Sequence, residues 1–472
     1  MSAIPQRDET FHVEQRGTEL IPEAQRHGRP WDLFPFWFGL NANVFFPITG
    51  FYLIAGLKLS FIQAIPTILV GNLLGYLLTG LGSIQGPSTG ARAFVISRSS
   101  FGFNGNRGVS FLNWLQFIGF EASGVVLAVF AVQAIFQSFG ITQTGTVVFV
   151  VIATIAIVAI QIVVPLFGHA TILSVTKWLA WLFAGFFLLI TVFSVASGKT
   201  QLTGGNGTLF EITVGLAAVM VAGGMGWVSA ANDYSCYLPR AANKRSIVFA
   251  VALGGFLSAA LLEVLGAAVG SSASDPINGL STLLPSVLLV PFMLILILNL
   301  VAVNNVDLYS SGLNLLAMGV KLRRVYATLV DMVICFPLVL LAALSTGFNS
   351  FYGQFLSLLV VFYAPWTAIF LADCLLRRNR YDANKLVEKP VGPWYKVGFN
   401  RNGLISLALG MIASLTWINS PLIQGPLSHL FGNSDLSAFT GFIVGGGFYV
   451  LLSFTRVKPH TQLQAVPEVL AD

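Results

Sequence analysis

The sequence predicts an all-α integral membrane protein of twelve transmembrane helices, and three observations carry that expectation. Only 9% of its 472 residues are charged, against roughly 25% in soluble domains. Apolar residues make up 55%, enough at about 20 residues per span for about a dozen spans. The 25 Lys and Arg residues fall in clusters that alternate with the apolar runs, as loops on one side of a membrane require. An ordinary soluble enzyme is excluded. The net charge of +6, which in a soluble protein would suggest a nucleic-acid partner, is explained by the placement of these clusters, and no nucleic acid is expected.

Residues 1–30 are polar, mixed in charge and lack the apolar stretch of a signal peptide, so they read as a cytoplasmic tail. A transmembrane domain is expected over 31–456 and a second cytoplasmic tail over 457–472. Hydropathy and Gly/Pro punctuation place the spans at 34–57, 61–82, 110–138, 145–166, 172–197 and 210–236, then at 245–271, 286–318, 324–345, 351–376, 403–419 and 438–455. With both termini inside, 23 of the 25 basic residues lie on inner segments or inner span ends, leaving Lys58 and Lys199 outside. The stretch Gly86 to Arg107, GPSTGARAFVISRSSFGFNGNR, is too polar and broken to span and predicts an interfacial cytoplasmic helix. Asn206-Gly207-Thr208 is a glycosylation sequon on the outer side, a match at chance level. Cys236, Cys335 and Cys374 have no metal-ligand spacing, and neither a metal nor a cofactor is expected.

Two spans carry helix-weakening residues near their middles: Gly39, Asn41, Asn43 and Pro47 in the first, and Gly223, Gly224 and Gly226 in the sixth. Unwound backbone at membrane depth persists only where protein buries it or where it lines water. Freed carbonyls can then bind a cation and half-helix ends can bind polar substrate groups, although glycines that merely allow close packing are the simpler alternative. The eighth span adds Asn299, Asn304, Asn305, Asp307 and Ser310, whose amides offer donor and acceptor together. Acidic residues inside spans are Glu121, Asp233, Glu263, Asp307, Asp331 and Asp373, each costly in lipid unless turned inward. Asp233, beside Arg240, and Asp373, beside the Arg377 cluster, suit structural ion pairs; Glu121, Glu263, Asp307 and Asp331 stay open as functional groups. His12, His27, His169, His429 and His460 fall in tails or connections, with no nucleophile and base grouped, so an enzyme is not expected.

The ordered stretches WFGLN (Trp37 to Asn41), VGNLLG (Val70 to Gly75), GPSTG (Gly86 to Gly90), SRSSFGFNGN (Ser97 to Asn106) and NWLQFIGF (Asn113 to Phe120) continue through GWVSAANDYSCYLPR (Gly226 to Arg240), NNVDLYSSGL (Asn304 to Leu313) and APWTAIFLADCLLRRNRYD (Ala364 to Asp382). In these the chain resembles the nucleobase:cation symporter family, in its cytosine and purine permease branch, over almost its whole length. The resemblance implies two inverted five-helix repeats followed by two peripheral helices, with spans one and six broken. It also implies a symporter in the cell membrane that alternates access around a mid-membrane site for a nucleobase-like small molecule. By the same resemblance the ring would be held between Phe120 and Trp227, beside Gly224 of the unwound sixth span, and read by Asn41, Asn304 and Asn305. Three departures bear on substrate choice: Phe120 stands where many relatives have Trp, Gly124 where a polar residue is common, and Cys236 where the family motif has Arg. A purine, a hydantoin-like ring such as allantoin, or a vitamin precursor therefore stands beside cytosine. Sodium-driven relatives use first-span carbonyls with eighth-span hydroxyls, and LILNLVAV ahead of Asn304 contains no Ser or Thr. A co-transported proton carried by Glu121 or Asp307 is accordingly expected in preference to sodium.

Overall fold

The computed structural model describes residues 19–166, parts of 181–198, 205–269, 277, 285–320, 324–346, 348–387, 398–420 and 422–455. The main helices are α1 (Leu33–Asn41), α2 (Phe45–Ala55), α3 (Phe61–Ser83), α4 (Gly105–Ser138), α5 (Val147–Leu166) and α6 (Leu209–Met220). They continue with α7 (Lys244–Val269), α8 (Ser286–Met318), α9 (Arg324–Leu341), α10 (Phe348–Leu376), α11 (Arg401–Trp417) and α12 (Ser437–Ser453). Among the described residues six helices are long and apolar enough to cross a membrane, and a seventh span is formed if α1 and α2, bent by 54° at their junction, count as one. Most of the segment expected at 172–197, residues 1–18 of the N-terminal tail and all of the C-terminal tail lie outside the described residues.

Local chemistry sets where helices begin and end. The Ser60 hydroxyl accepts from the Gln63 N–H, while the Gln63 side chain accepts from the Ser60 N–H, capping α3. Gly319, at φ 91°, closes α8 in the left-handed conformation that a residue without Cβ adopts freely. Aliphatic side chains such as Ile62, Leu69, Leu73 and Leu77 of α3 face outward, whereas its Gly71, Asn72, Gly75, Tyr76 and Thr79 face inward. An apolar outside with small and polar residues inside is the arrangement that lipid dictates.

The close approaches fix relative directions. A Cβ on Gly71 would meet Val219, one on Gly75 would meet Met220 and Gly224, and one on Gly86 would meet Ser235, so α3 runs alongside the sixth span in the same sense. Asn72 instead meets Glu263 and Gly80 meets Val248, so α3 and α7 are antiparallel. Asn304 bonds to Glu121, while Gly319 lies against Arg107, making α4 and α8 antiparallel as well.

Segments assigned to one side of the membrane gather at one end of the molecule. The Ile21 N–H donates to Gly90, the His27 N–H to Tyr237 and the Arg240 N–H to Glu23, while Asn400 pairs with Phe101 and Arg98 donates to Leu386. At the opposite end Gln63 donates to the Gly207 carbonyl and the Asp435 N–H donates to Thr213. Two expectations change. The polar stretch after α3 is three short helices, Gln85–Thr89, Ala93–Ile96 and Arg98–Phe101, and nearly all their residues are buried in protein instead of lying on an interface. Its many hydroxyls and amides bond inward, as when Ser99 donates to Asp373 and Asn106 to the Phe94 carbonyl. Asp233 accepts from the Ala93 N–H with the Arg92 guanidinium nearby, while Arg240 turns to the N-terminal segment. Asp373 does pair with Arg377, at 2.9 Å.

Candidate functional site

The breaks expected in spans one and six are both present. Between α1 and α2 the helix opens at Ala42, Asn43 and Val44. The backbone groups released there are taken up by amides: Asn43 donates to the Leu40 carbonyl and accepts from the Phe45 N–H, while Asn299 of α8 donates to the Ala42 carbonyl (3.1 Å) and accepts from the Val44 N–H (3.3 Å). In span six, α6 widens at Val221–Met225 into a π turn in which Gly223 has non-helical angles (φ −95°, ψ −121°). The chain resumes as the short helix Ala231–Ser235. The freed Gly224 carbonyl accepts from the Thr79 hydroxyl at 2.5 Å.

Between the two breaks lies a narrow, partly open cavity, with about 390 Å³ of atom-free space when the solvent it opens onto is counted. Aromatic walls come from Phe45, Phe46, Phe117, Phe120 and Trp227, and polar groups from Asn43, Gln116 and Asp307, with backbone exposed at Gly223 and Gly226. The Phe120 ring is held edge-on by Phe45 (5.9 Å) and Phe355 (5.0 Å), and the Trp227 indole packs edge-on against Trp37 at 6.0 Å. Rings fixed in this way present flat apolar faces, while the few polar atoms supply direction; such a lining suits a small planar heterocycle.

Of the residues singled out in the sequence, Phe120, Trp227 and Asp307 line this cavity. Asn304 sits behind the wall, where its amide donates to the Glu121 carbonyl at 3.0 Å and its buried Oδ1 has no partner among the described residues. A Cβ on Gly124 would come within 2.4 Å of that oxygen, so the missing side chain at 124 is what admits Asn304. Asn305 is buried, and neither of its amide atoms has a partner among the described residues. Asn41 is engaged inside the bundle: it donates to the Trp37 carbonyl and accepts from the Tyr76 hydroxyl, both at 2.6 Å. Gly224 is a packing contact, since a Cβ there would lie 2.0 Å from the Gly75 backbone.

Glu121, next to Phe120 in sequence, points into the seam of α4 with α9, where one carboxylate oxygen accepts from the Cys335 thiol and the other has no partner among the described residues. Nearby Asp331 accepts from the Trp114 indole (2.7 Å) and the Ser311 hydroxyl (2.8 Å). Gln116 was not among the residues selected from the sequence. It lies four positions before Phe120, on the same helical face, and its buried carbonyl oxygen has no partner among the described residues.

Comparison with known proteins follows this geometry. A family described as permeases for cytosine/purines, uracil, thiamine and allantoin matches residues 20–443. YxlA of Bacillus subtilis, provisionally named a purine-cytosine permease, is 28% identical, over 96% of this chain and 98% of its own. The purine-cytosine permease fcyB of Emericella nidulans is 24% identical, over 95% of this chain and 90% of its own. Among solved structures, Mhp1, a nucleobase-cation-symport-1 family transporter, in a closed conformation with bromovinylhydantoin bound, superposes with a TM-score of 0.74 at 17% identity, covering 94% of each chain. The overall fold is thus that of Mhp1.

Proposed function

Since the chain belongs to the permease family for cytosine/purines, uracil, thiamine and allantoin, we propose that it is a secondary active symporter. It imports a nucleobase or related planar heterocycle together with a cation, alternating access around the cavity between spans one and six. The observation that carries this reading is the cavity itself. Phe120 and Trp227 supply ring faces, while Gln116, Asn43 and Asp307 supply donors and acceptors, all beside two interrupted helices. Interrupted helices around a central site are how secondary transporters combine a polar site with a span that can rock. The same reading takes the protein as twelve spans in two inverted five-helix repeats plus two peripheral helices, in the plasma membrane with cytoplasmic termini at 1–30 and 457–472.

Proton coupling is favoured over sodium by the break in span one. Its Ala42 carbonyl already receives the Asn299 amide, a donor standing where a cation would have to draw oxygen ligands. Asp307 faces the cavity and Glu121 the seam behind it, so these two carboxyl groups are the assigned proton carriers.

The test is uptake of radiolabelled cytosine, adenine, guanine, hypoxanthine, uracil, allantoin and hydantoins in a transport-deficient host. Purified protein is screened in parallel for thermal stabilisation by the same compounds. At least one ring is expected both to stabilise the protein and to be taken up faster when the outside is acidified. Stabilisation without counterflow in proteoliposomes would instead mark a ligand sensor, and strict sodium dependence would overturn proton coupling.

A further inference from the structure

Opposite the α4 seam, between α3 and α7, lies a second buried acid that the cavity does not contain. Glu263 and Asn72 are both fully buried. The Asn72 amide nitrogen donates to Glu263 Oε2 at 2.6 Å and to the Ile68 carbonyl at 3.0 Å. Both amide hydrogens are thereby used, and flipping the amide would lose both bonds. What remains on these two groups is Glu263 Oε1 and Asn72 Oδ1, each buried and without a partner among the described residues. Two acceptor oxygens on a bonded pair lack one donor between them, and a proton on the carboxyl group is the donor that chemistry allows.

Among the described residues the surroundings offer nothing else to balance a charge. Leu53, Ile54, Ile68, Val219, Ala260 and Ala267 form the apolar cluster there. The titratable groups that face Glu263 are Tyr76 of α3 and Tyr352 of α10, neither of them cationic. The pair nonetheless touches both interrupted spans. Asn72 Oδ1 lies 3.0 Å from where a Cβ on Gly223 would stand, and Gly223 lines the cavity. The Glu263 backbone carbonyl lies against Gly50 of α2.

We propose that Glu263 and Asn72 form a proton-binding site, one backbone thickness behind the substrate cavity, that couples proton binding to movement of spans one and six. This deepens the proton-symport reading above and rests on it: Glu263 acts in series with Asp307 and Glu121, so that loss of any one exchangeable proton uncouples transport from the proton gradient. With the proton in place the acid and amide satisfy each other and α3, α7 and the sixth span stay packed. Release breaks the Oε1–H bond, leaves its electron pair on the carboxylate and passes the proton to water entering the cavity. The charge left behind is tolerated only where that water reaches it, which favours parting of the helices at Gly223.

The experiment compares uptake of radiolabelled cytosine and adenine with acidic and neutral exteriors, in wild type and in Glu263→Gln, whose amide imitates the protonated acid. It also records proton release or uptake when these two compounds bind to purified protein in unbuffered solution. The substitution is expected to collapse the acid-to-neutral uptake ratio to unity and to abolish the substrate-linked proton signal, while thermal stabilisation by the same compounds persists. Asn72→Leu, which keeps the acid but removes its partner, is expected to shift the midpoint of the pH–uptake curve; it decides the matter if Glu263→Gln does not fold. A wild-type ratio preserved in Glu263→Gln, or in its place an unmoved midpoint in Asn72→Leu, overturns the proposal. Absence of acid-driven uptake in wild type itself defeats the symport reading, so the two failures are distinguishable.

Discussion

At the scale of single residues, the cavity separates groups that present faces from groups that present direction. Trp227 and Phe120 are half-buried and braced edge-on by other rings, so what they present to the cavity is flat apolar area. Gln116 instead brings an unpartnered carbonyl oxygen to the wall. Gln116→Ala is expected to weaken substrate binding about tenfold, the consequence of one lost hydrogen bond, with little change in unfolding temperature because that oxygen has no partner among the described residues. Trp227→Ala removes a stacking platform and is expected to abolish measurable uptake while the protein still reaches the membrane. Ligand titration by thermal shift together with surface-expression blotting checks both, and normal affinity in either variant would remove that residue from the site. Phe120, Trp227 and Asp307 were legible in the sequence because aromatics and acids at membrane depth are conspicuous. Asn41 and Gly224 were equally conspicuous, yet the direction of the Asn41 amide and the close packing of the Gly224 backbone depend on Tyr76 and Gly75 of a neighbouring helix, which no local pattern encodes. Gln116 could have been found by stepping one helical turn back from Phe120.

At the scale of elements, the first span is two helices whose junction is held by a residue far away in sequence. Glycine, asparagine and proline in GLNANVFFP announced an interruption, but not what would satisfy it. The answer is Asn299, whose carboxamide spans the gap by donating to Ala42 and accepting from Val44. It fastens the break in span one to α8, the helix that also carries Asp307. Asn299→Ala leaves a buried carbonyl and a buried N–H without partners, a cost of about 2–4 kcal/mol from the usual penalty per unsatisfied group. The expected outcome is a clearly lower unfolding temperature in detergent, not restored by added sodium. Recovery on adding sodium would mean that a cation can replace the amide, and would reopen a sodium site at this junction. The polar stretch after α3 teaches the complementary lesson. Its composition reads as surface, but its hydroxyls and amides are spent on buried bonds between helices, which hydropathy cannot distinguish from bonds to water.

At the scale of the whole molecule, the distribution of charge and the pattern of contacts converge on one orientation. The basic clusters at Arg92 to Arg107, Arg240 to Arg245 and Arg377 to Arg401 were assigned to a single side by the positive-inside rule. Their segments meet at one end: Glu23 accepts from Arg240, Ser88 donates to Asn379, and Arg98 reaches Leu386. Lys58, which the same rule leaves on the other side, lies with Gly205 at the far end. Hydropathy and spatial contact are independent observations, and a single wrongly counted span between the clusters would have sent their segments to opposite ends. The agreement places the basic loops together at one end of the molecule and, with the proposed cytoplasmic placement of that end, makes a direct labelling prediction. Because all three native cysteines are buried, a new surface thiol can be read above a low background. Lys58 and Arg380 are exposed positions at opposite ends. Lys58→Cys is expected to react with a membrane-impermeant maleimide in intact cells, and Arg380→Cys only after permeabilisation. Reversal of that pattern would turn the transporter over, making its basic face external and requiring the inferred import direction to be reconsidered, while labelling of both in intact cells would break the even span count on which the two-repeat architecture depends.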